Sequence, residues 1–281
     1  MLTQIKANAS YGKLLFLPVL TDDASGFTVR NVDGLGPVRA EIVTSTFAML
    51  DGSNYQASSV DNRNIVITVG LEPYHGSLTV KDLRDKIYSV FMPKNKVDLA
   101  FYDHSLANNQ TKEYLTSGYV ESCEPNIFSQ DPEIVISIVC PDPFFYDPTE
   151  TLYQGTTTQT TDMADVNYPG SSDNGFHLRM TITDPAVNQI VVYRMLPSGL
   201  VETFTVKYSQ FQAGDVLDIS TTHKSKIITV TRSNIKFSIL HAVDPVSTWL
   251  ELAPGTNKFR VYTNVGALAY DLRYTVRHGG L

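Results

Sequence analysis

A chain of 281 residues, 42% of them hydrophobic, is long enough to build two cores, and two domains are favoured over one. Its 22 Lys and Arg stand against 29 Asp and Glu, a formal charge of −7, which argues against gripping nucleic acid through a general basic face and against binding an anionic membrane surface. No stretch approaches the roughly 20 apolar residues of a membrane span, so no membrane insertion is expected; residues 1–10, with one lysine and no long apolar core, do not read as a secretory signal.

The first apolar run, Leu14 to Leu17, stops at Pro18 and reads as a strand. Gly34-Leu35-Gly36 is followed by Pro37 and reads as a turn rather than an anion cradle. Between Ser77 and Met92, Leu83, Ile87, Val90 and Phe91 recur at helical spacing. Thr79 with Asp82 forms the looser capping box, Asp82 and Lys86 are spaced to pair on the wet face, and Pro93 stops the helix. Val97, Leu99 and Phe101 then share one face of a strand, and Gly118–Glu121 opens another. Glu133–Cys140 is an apolar, β-branched run too short for a lone helix, and reads as a buried strand. Pro141, Pro143 and Pro148 follow in quick succession, each removing a ladder donor, so the sheet ends there and Phe144, Phe145 and Tyr146 leave it as packing groups. The first domain, 1–150, therefore reads as three strands, a helix and three strands. The two cysteines fall within it. A hairpin turning near 126–132 sets Cys123 opposite a residue near Val135 rather than Cys140, so two buried thiols in a reducing cytosol are preferred to a disulfide.

Residues 151–172 are poor in apolar groups and rich in Thr, Gln, Gly and Ser, and read as a linker. The second domain, 173–281, is all-β by pattern. Phe176, Leu178, Met180 and Ile182 alternate with polar residues. Ile190–Leu196 and Leu200–Lys207 flank a turn at Pro197-Ser198-Gly199, Val216–Ile219 and Lys226–Thr231 follow, and Pro254-Gly255 suits the centre of a type II turn. Leu268, Tyr270, Leu272, Tyr274 and Val276 give the clearest period-two signal, and a one-residue slip would expose all five. About eight strands at short spacing imply a β-sandwich.

Little in the chain asks for chemistry. The six histidines, His75, His104, His177, His223, His241 and His278, lack the short spacings of a zinc site. There is no nucleophile elbow, phosphate loop or calcium loop. Asp162, Asp165 and Asp173 read as a solvated acidic linker rather than a cation site. No catalytic residue, cofactor or metal is expected, and a hydrolase finds no supporting pattern.

A family resemblance supplies what spacing does not. Gly34-Leu35-Gly36-Pro37-Val38-Arg39, Asp51-Gly52 with Tyr55, Asn62-Arg63-Asn64-Ile65-Val66-Ile67, Gly118-Tyr119-Val120-Glu121 and Cys140-Pro141-Asp142-Pro143-Phe144-Phe145 occur in an order and spacing that resemble the distal tail proteins of long-tailed, non-contractile bacteriophages. Trp249–Asn257 more loosely resembles the loop before the last strands of that family's C-terminal domain. The resemblance implies a mainly β protein: an N-terminal tail-tube-like β-sandwich with one flanking helix and a C-terminal galectin-like β-sandwich. It implies a structural role without catalysis, as a hexameric ring at the virion tail tip, assembled in the host cytoplasm. The implied partners are other copies of the chain, the tail tube protein, the tape-measure protein, the tail hub or fibre protein and a receptor-binding protein, with DNA passing through the lumen without specific binding. Gly34, Pro37, Arg63, Asn64, Gly118, Tyr119, Cys140, Pro141, Asp142 and Pro143 are the family-signature positions, read as structural.

The competing reading is a carbohydrate-binding adhesin module that recognises a host cell-wall glycan, with Trp249 and Asn257 as the sugar contacts. Against it, Leu250 and Leu252 beside Trp249 point to a core anchor, and a galectin-like fold does not by itself carry sugar binding.

Overall fold

The computed structural model describes residues 1–19, 25–47, 51–73, 78–105, 109–126, 129–196 and 199–281. The chain divides into two compact units. Unit 1 comprises Met1–Pro148 together with His278–Leu281, and unit 2 comprises Thr149–Arg277.

Unit 1 begins with β1 (Leu2–Ala9), β2 (Leu14–Pro18), β3 (Phe27–Asp33), β4 (Ala40–Ser45), β5 (Asn54–Val60) and β6 (Arg63–Leu71). Helix α1 (Val80–Val90) follows, then β7 (Lys96–Ser105), β8 (Gln110–Asn126), β9 (Glu133–Cys140) and the start of β10 (Phe145–Thr156). The pairing order is β2-β1-β7-β8-β9-β6-β3. β8 belongs to two pairings: its first half, Gln110 to Tyr119, runs against β7, and from Tyr119 to Asn126 it runs against β9. The register shifts between Val120 and Ser122, and such a bulge bends a strand and raises its twist. One long strand thereby wraps the sheet around a core of Ile5, Leu17, Ile65, Ile67, Val97, Leu99, Phe101, Ile134, Ile136 and Ile138, all excluded from solvent.

The period-two face of β7 is as the alternation predicts, with Val97, Leu99 and Phe101 buried. So is α1. Thr79 Oγ1 accepts from the Asp82 amide at 3.2 Å and Asp82 Oδ2 accepts from the Thr79 amide at 2.9 Å, a reciprocal cap, while Leu83, Ile87, Val90 and Phe91 bury the apolar stripe. The Thr79 hydroxyl, which donates to Asp82 Oδ2 at 2.7 Å, and then the Thr79 amide hold the Asp82 carboxyl below the usual carboxylate range. One expectation changes: among the described residues six strands, not three, precede the helix, chiefly because β4 and β5 form a separate two-stranded sheet. Cys123 lies opposite Ile136, next to Val135 and away from Cys140. Both thiols are free, and burial pushes that of Cys123 up to about 11, so it carries little thiolate at neutral pH.

Unit 2 holds the remainder of β10 and β11 (Ala164–Tyr168), β12 (His177–Thr181), β13 (Gln189–Met195), β14 (Val201–Lys207), β15 (Val216–Thr222), β16 (Ser225–Arg232), β17 (Ile235–Ser238), β18 (Gly255–Thr263) and β19 (Ala269–His278, which ends in unit 1). One sheet runs β17-β16-β15-β12-β19 and the other β11-β18-β13-β14. Leu178 and Met180 of β12 and the alternating row Tyr270, Leu272, Tyr274 and Val276 of β19 are buried, and Phe176 meets Phe259 of β18 edge to face at 5.5 Å. Gly255 has φ +94°, as a type II turn requires of its third residue. The turn expected at Pro197-Ser198 lies outside the described residues.

The stretch 151–172, expected as a linker, is instead built into unit 2. β10 continues to Thr156, and β11 pairs with β18 and buries Val166 and Tyr168. Tyr168 Oη donates to the Ser172 carbonyl at 3.0 Å and accepts from the Arg277 amide at 2.9 Å. Two buried side chains flanking one polar residue are too few to register as a periodic signal in a Thr-rich segment.

One ion pair closes the β15–β16 end of unit 2. Asp215, 1% exposed, receives Arg232 on both carboxylate oxygens at 2.8 and 2.7 Å and the Gln212 amide at 2.8 Å. Arg232, and then the Gln212 amide, hold the Asp215 carboxyl below its ordinary range. A depressed carboxylate contributes stability above its unfolded pKa, about 3.9, and loses it as pH falls through the lower folded value. Asp215→Asn is expected to destabilise unit 2 by about 2 kcal/mol at pH 7 and by clearly less at pH 3. Urea unfolding followed by the fluorescence of Trp249, the chain's single tryptophan, reads this directly; an equal deficit at both pH values would refute the assignment.

Candidate assembly arm and its root

β4 and β5 pair only with each other among the described residues, from Ala40 opposite Val60 to Ser45 opposite Asn54. Every residue of the two strands except Ser45 is exposed. Their sequence supports strand formation through Ile42, Val43 and Thr44, yet Ile42 is 61% and Tyr55 65% exposed. Val43, Val60 and, just beyond β4, Phe47 add to the exposed apolar surface. A hairpin of two strands with both faces in water is marginally stable alone.

Several of the residues singled out by the resemblance, Gly34, Pro37, Arg63 and Pro143, gather at the root of this β4–β5 arm. The chain enters β4 through the turn at Gly34–Arg39 and leaves β5 into Arg63, the first residue of β6. The Asp61 amide donates to the Arg39 carbonyl at 3.2 Å and closes the base. Arg63 is 1% exposed. Its Nε donates to the Pro143 carbonyl at 2.7 Å, one terminal nitrogen donates to the carbonyls of Gly34 and Gly36 (the latter at 2.7 Å), and the other donates to the Gly279 carbonyl at 2.6 Å. The guanidinium lies over the Phe145 ring, 4.3 Å from its centroid. Burial lowers its pKa, and the four main-chain carbonyls supply the partial negative charge that a desolvated cation requires. Only the planar, five-donor fork of arginine reaches four carbonyls from one side chain.

Neighbouring signature positions explain themselves by space. Gly34 has φ +85°, and a Cβ there would sit 1.9 Å from the Asn64 carbonyl oxygen. At Gly118 a Cβ would meet Ile138 Cγ2 at 2.7 Å and Cys140 Sγ at 2.8 Å. Arg63 is the register partner of Cys140, so Gly34, Arg63, Cys140 and Gly118 form one chain of contacts. Pro143 accepts from Arg63, Asp142 accepts from Tyr146 Oη at 3.0 Å, and Pro141 is exposed. Pro37 abuts Gly280, where an added Cβ would lie 2.8 Å from the Pro37 nitrogen. Asn64 and Tyr119 stand apart: Asn64 accepts from Ser137 Oγ on the sheet surface, and Tyr119 is half-exposed.

Both residues named as sugar contacts are engaged within unit 2. Asn257 is 4% exposed; its Oδ1 accepts from the Ala253 amide at 2.9 Å and its Nδ2 donates to the carbonyls of Ala253 and Gly255 at 2.7 and 3.1 Å. Its amide is consumed in pinning the loop before β18. Trp249 packs on Phe204 at 4.8 Å against the unit 2 core.

Two acidic residues of a groove on unit 1 are held by hydrogen bonds. The groove, of about 420 Å³, is lined by Lys6, Asp98, Glu113, Leu115, Asp142 and Tyr146 among others; Glu113 is engaged by Tyr102 Oη at 3.0 Å and Asp142 by Tyr146. Among the described residues no group of three or more His, Cys, Asp or Glu is placed to hold a metal. His278 meets Asp147 at 2.8 Å and His104 meets Thr111 at 3.2 Å; His75 lies outside the described residues.

Two β-built units in this order match two family models. Residues 22–158 match the phage tail protein RIFT-related domain, and residues 172–278 match the C-terminal domain of the siphovirus-type tail component. Fold and matches together define a structural component of a phage tail. The chain belongs to the distal tail protein family of siphophages. Its fold is similar to that of Dit from phage SPP1, described as a paradigm of hub adsorption apparatus in phages infecting Gram-positive bacteria; the TM-score is 0.64 at 17% identity, over 97% of this chain and 98% of that one. Chains of the phage p2 baseplate in its activated conformation align at 10% identity, with TM-scores of 0.44 with strontium and 0.45 with calcium, over 96% and 97% of this chain and 97% and 98% of theirs. No curated protein matches the sequence.

Proposed function

We propose that copies of this chain close into a hexameric hub ring at the tail tip, that the arm β4–β5 makes the contact between neighbours, and that the ring joins the tail tube to the hub, fibre and receptor-binding apparatus. The observation that carries this is the arm: an apolar hairpin exposed on both faces, held at its root and covered by nothing in its own unit. A ring needs two different complementary patches per subunit, and a projecting arm supplies one of them. The hub description of the SPP1 Dit structure agrees with this role. A chain of net charge −7 suits a lumen that passes DNA without retaining it. The tape-measure protein belongs within that lumen, the second unit carries outward attachments, assembly takes place in the host cytoplasm, and no step is catalytic.

Native mass spectrometry and negative-stain micrographs of the full chain test this. Wild type is expected as a hollow hexamer, and Ile42→Asp with Tyr55→Asp as a folded monomer. A wild type that stays monomeric at high concentration and with the tail tube protein present would remove the ring; a variant that still assembles would remove the arm from its interface.

A further inference from the structure

The root of the arm is completed by residues synthesised long after it. Gly279, which takes one arm of the Arg63 fork, lies 216 residues downstream of it. The Leu281 amide donates to the Leu35 carbonyl at 2.9 Å, and Gly280 lies against Gly36 and Pro37 closely enough that a Cβ would fall within 3.0 Å of both. Gly280 and Leu281 therefore touch the turn that launches β4, Gly279 touches the Arg63 side chain that holds that turn, and all three belong to unit 1 rather than to the unit that precedes them in sequence. Without them the Gly34–Pro37 turn loses a main-chain hydrogen bond and its packing against Gly280, and Arg63 loses a carbonyl in a site closed to water. A local opening there is confined to the turn and the arm, because the β6 ladder beyond Arg63 is paired on both sides by β3 and β9.

We infer that residues 279–281 act as an assembly latch: they fix the root of the arm, so the chain becomes competent to join its neighbours only after unit 2 has been made and the chain has returned to unit 1. This rests on the arm being the ring contact. A nascent unit 1 presents an unlatched arm, which pays the cost of ordering at the moment of contact and binds correspondingly more weakly.

The test uses the full chain, a chain ending at His278, and two milder variants, Leu281→Pro, which removes only the donor to Leu35, and Gly280→Val, which crowds Pro37. Hydrogen exchange is read in peptides covering 33–41 and 60–66 at a concentration where the chain is monomeric, and self-association by native mass spectrometry. Exchange at the root is expected to rise about tenfold or more and association to weaken about tenfold or more, with exchange in the unit 2 strands unchanged. Wild-type exchange at the root in all three variants would overturn the latch, as would faster exchange with unchanged association. Weaker association with unchanged exchange would also overturn it, because the segment would then act by touching a neighbour directly. A wild type that never associates would refute the ring reading, and the exchange measurement would still decide whether 279–281 holds the root.

Discussion

Arg63→Ala is expected to lower the stability of unit 1 by about 4 kcal/mol, and its melting temperature by roughly 10 °C, while leaving unit 2 unchanged. The substitution leaves carbonyls of Gly34, Gly36, Pro143 and Gly279 facing a site from which water is excluded, and strips the cation from the face of Phe145. Arg63→Lys keeps the charge but replaces a rigid fork with a single ammonium, and is expected to recover about half of the loss. Differential scanning calorimetry alongside Trp249 fluorescence distinguishes the two units, because the only tryptophan lies in unit 2. Coincident melting of variant and wild type would show that the network is incidental.

Gly34→Val is expected to cost about 3 kcal/mol or more and to loosen the arm at its entry. Two effects add: a β-branched residue at φ +85°, and a Cβ driven to 1.9 Å from the Asn64 carbonyl oxygen. The backbone of β6 is not a flexible side chain that can step aside, so the turn must move. Gly12→Ala is the control. Gly12 also has positive φ, +77°, but an added Cβ meets nothing within 4 Å, and the expected cost is about 1 kcal/mol. Equal losses at the two positions would mean that conformational strain alone, and not the contact with Asn64, makes glycine necessary at 34.

What could be read from the sequence was what faces a core. β7, β12 and β19 alternate because one side of each is buried, and α1 carries both its stripe and its cap in consecutive residues. The arm escaped for the opposite reason. Ile42, Val43 and Tyr55 face solvent within their own chain, so no burial imposes a period on them, and only the β-branched run Ile42-Val43-Thr44 hints at a strand. Arg63 was legible as a signature position through resemblance, but its burial was not, since arginine is seldom buried and its acceptors come from three separate segments. The loop bonds of Asn257 were not legible either, because an amide that caps its own loop and an amide that awaits a ligand look alike as letters.

The tail's return to unit 1 also bears on how such proteins can be varied. Unit 2 is spliced between Pro148 and His278 rather than appended, and the flanking residues Asp147 and His278 are 2.8 Å apart. A foreign module put in its place must therefore bring its two ends out side by side, as an antiparallel sandwich does and an extended rod does not. Exchanging second units among related chains should succeed when that spacing is respected, whatever their sequence, and fail when a substitute is fused at one end only.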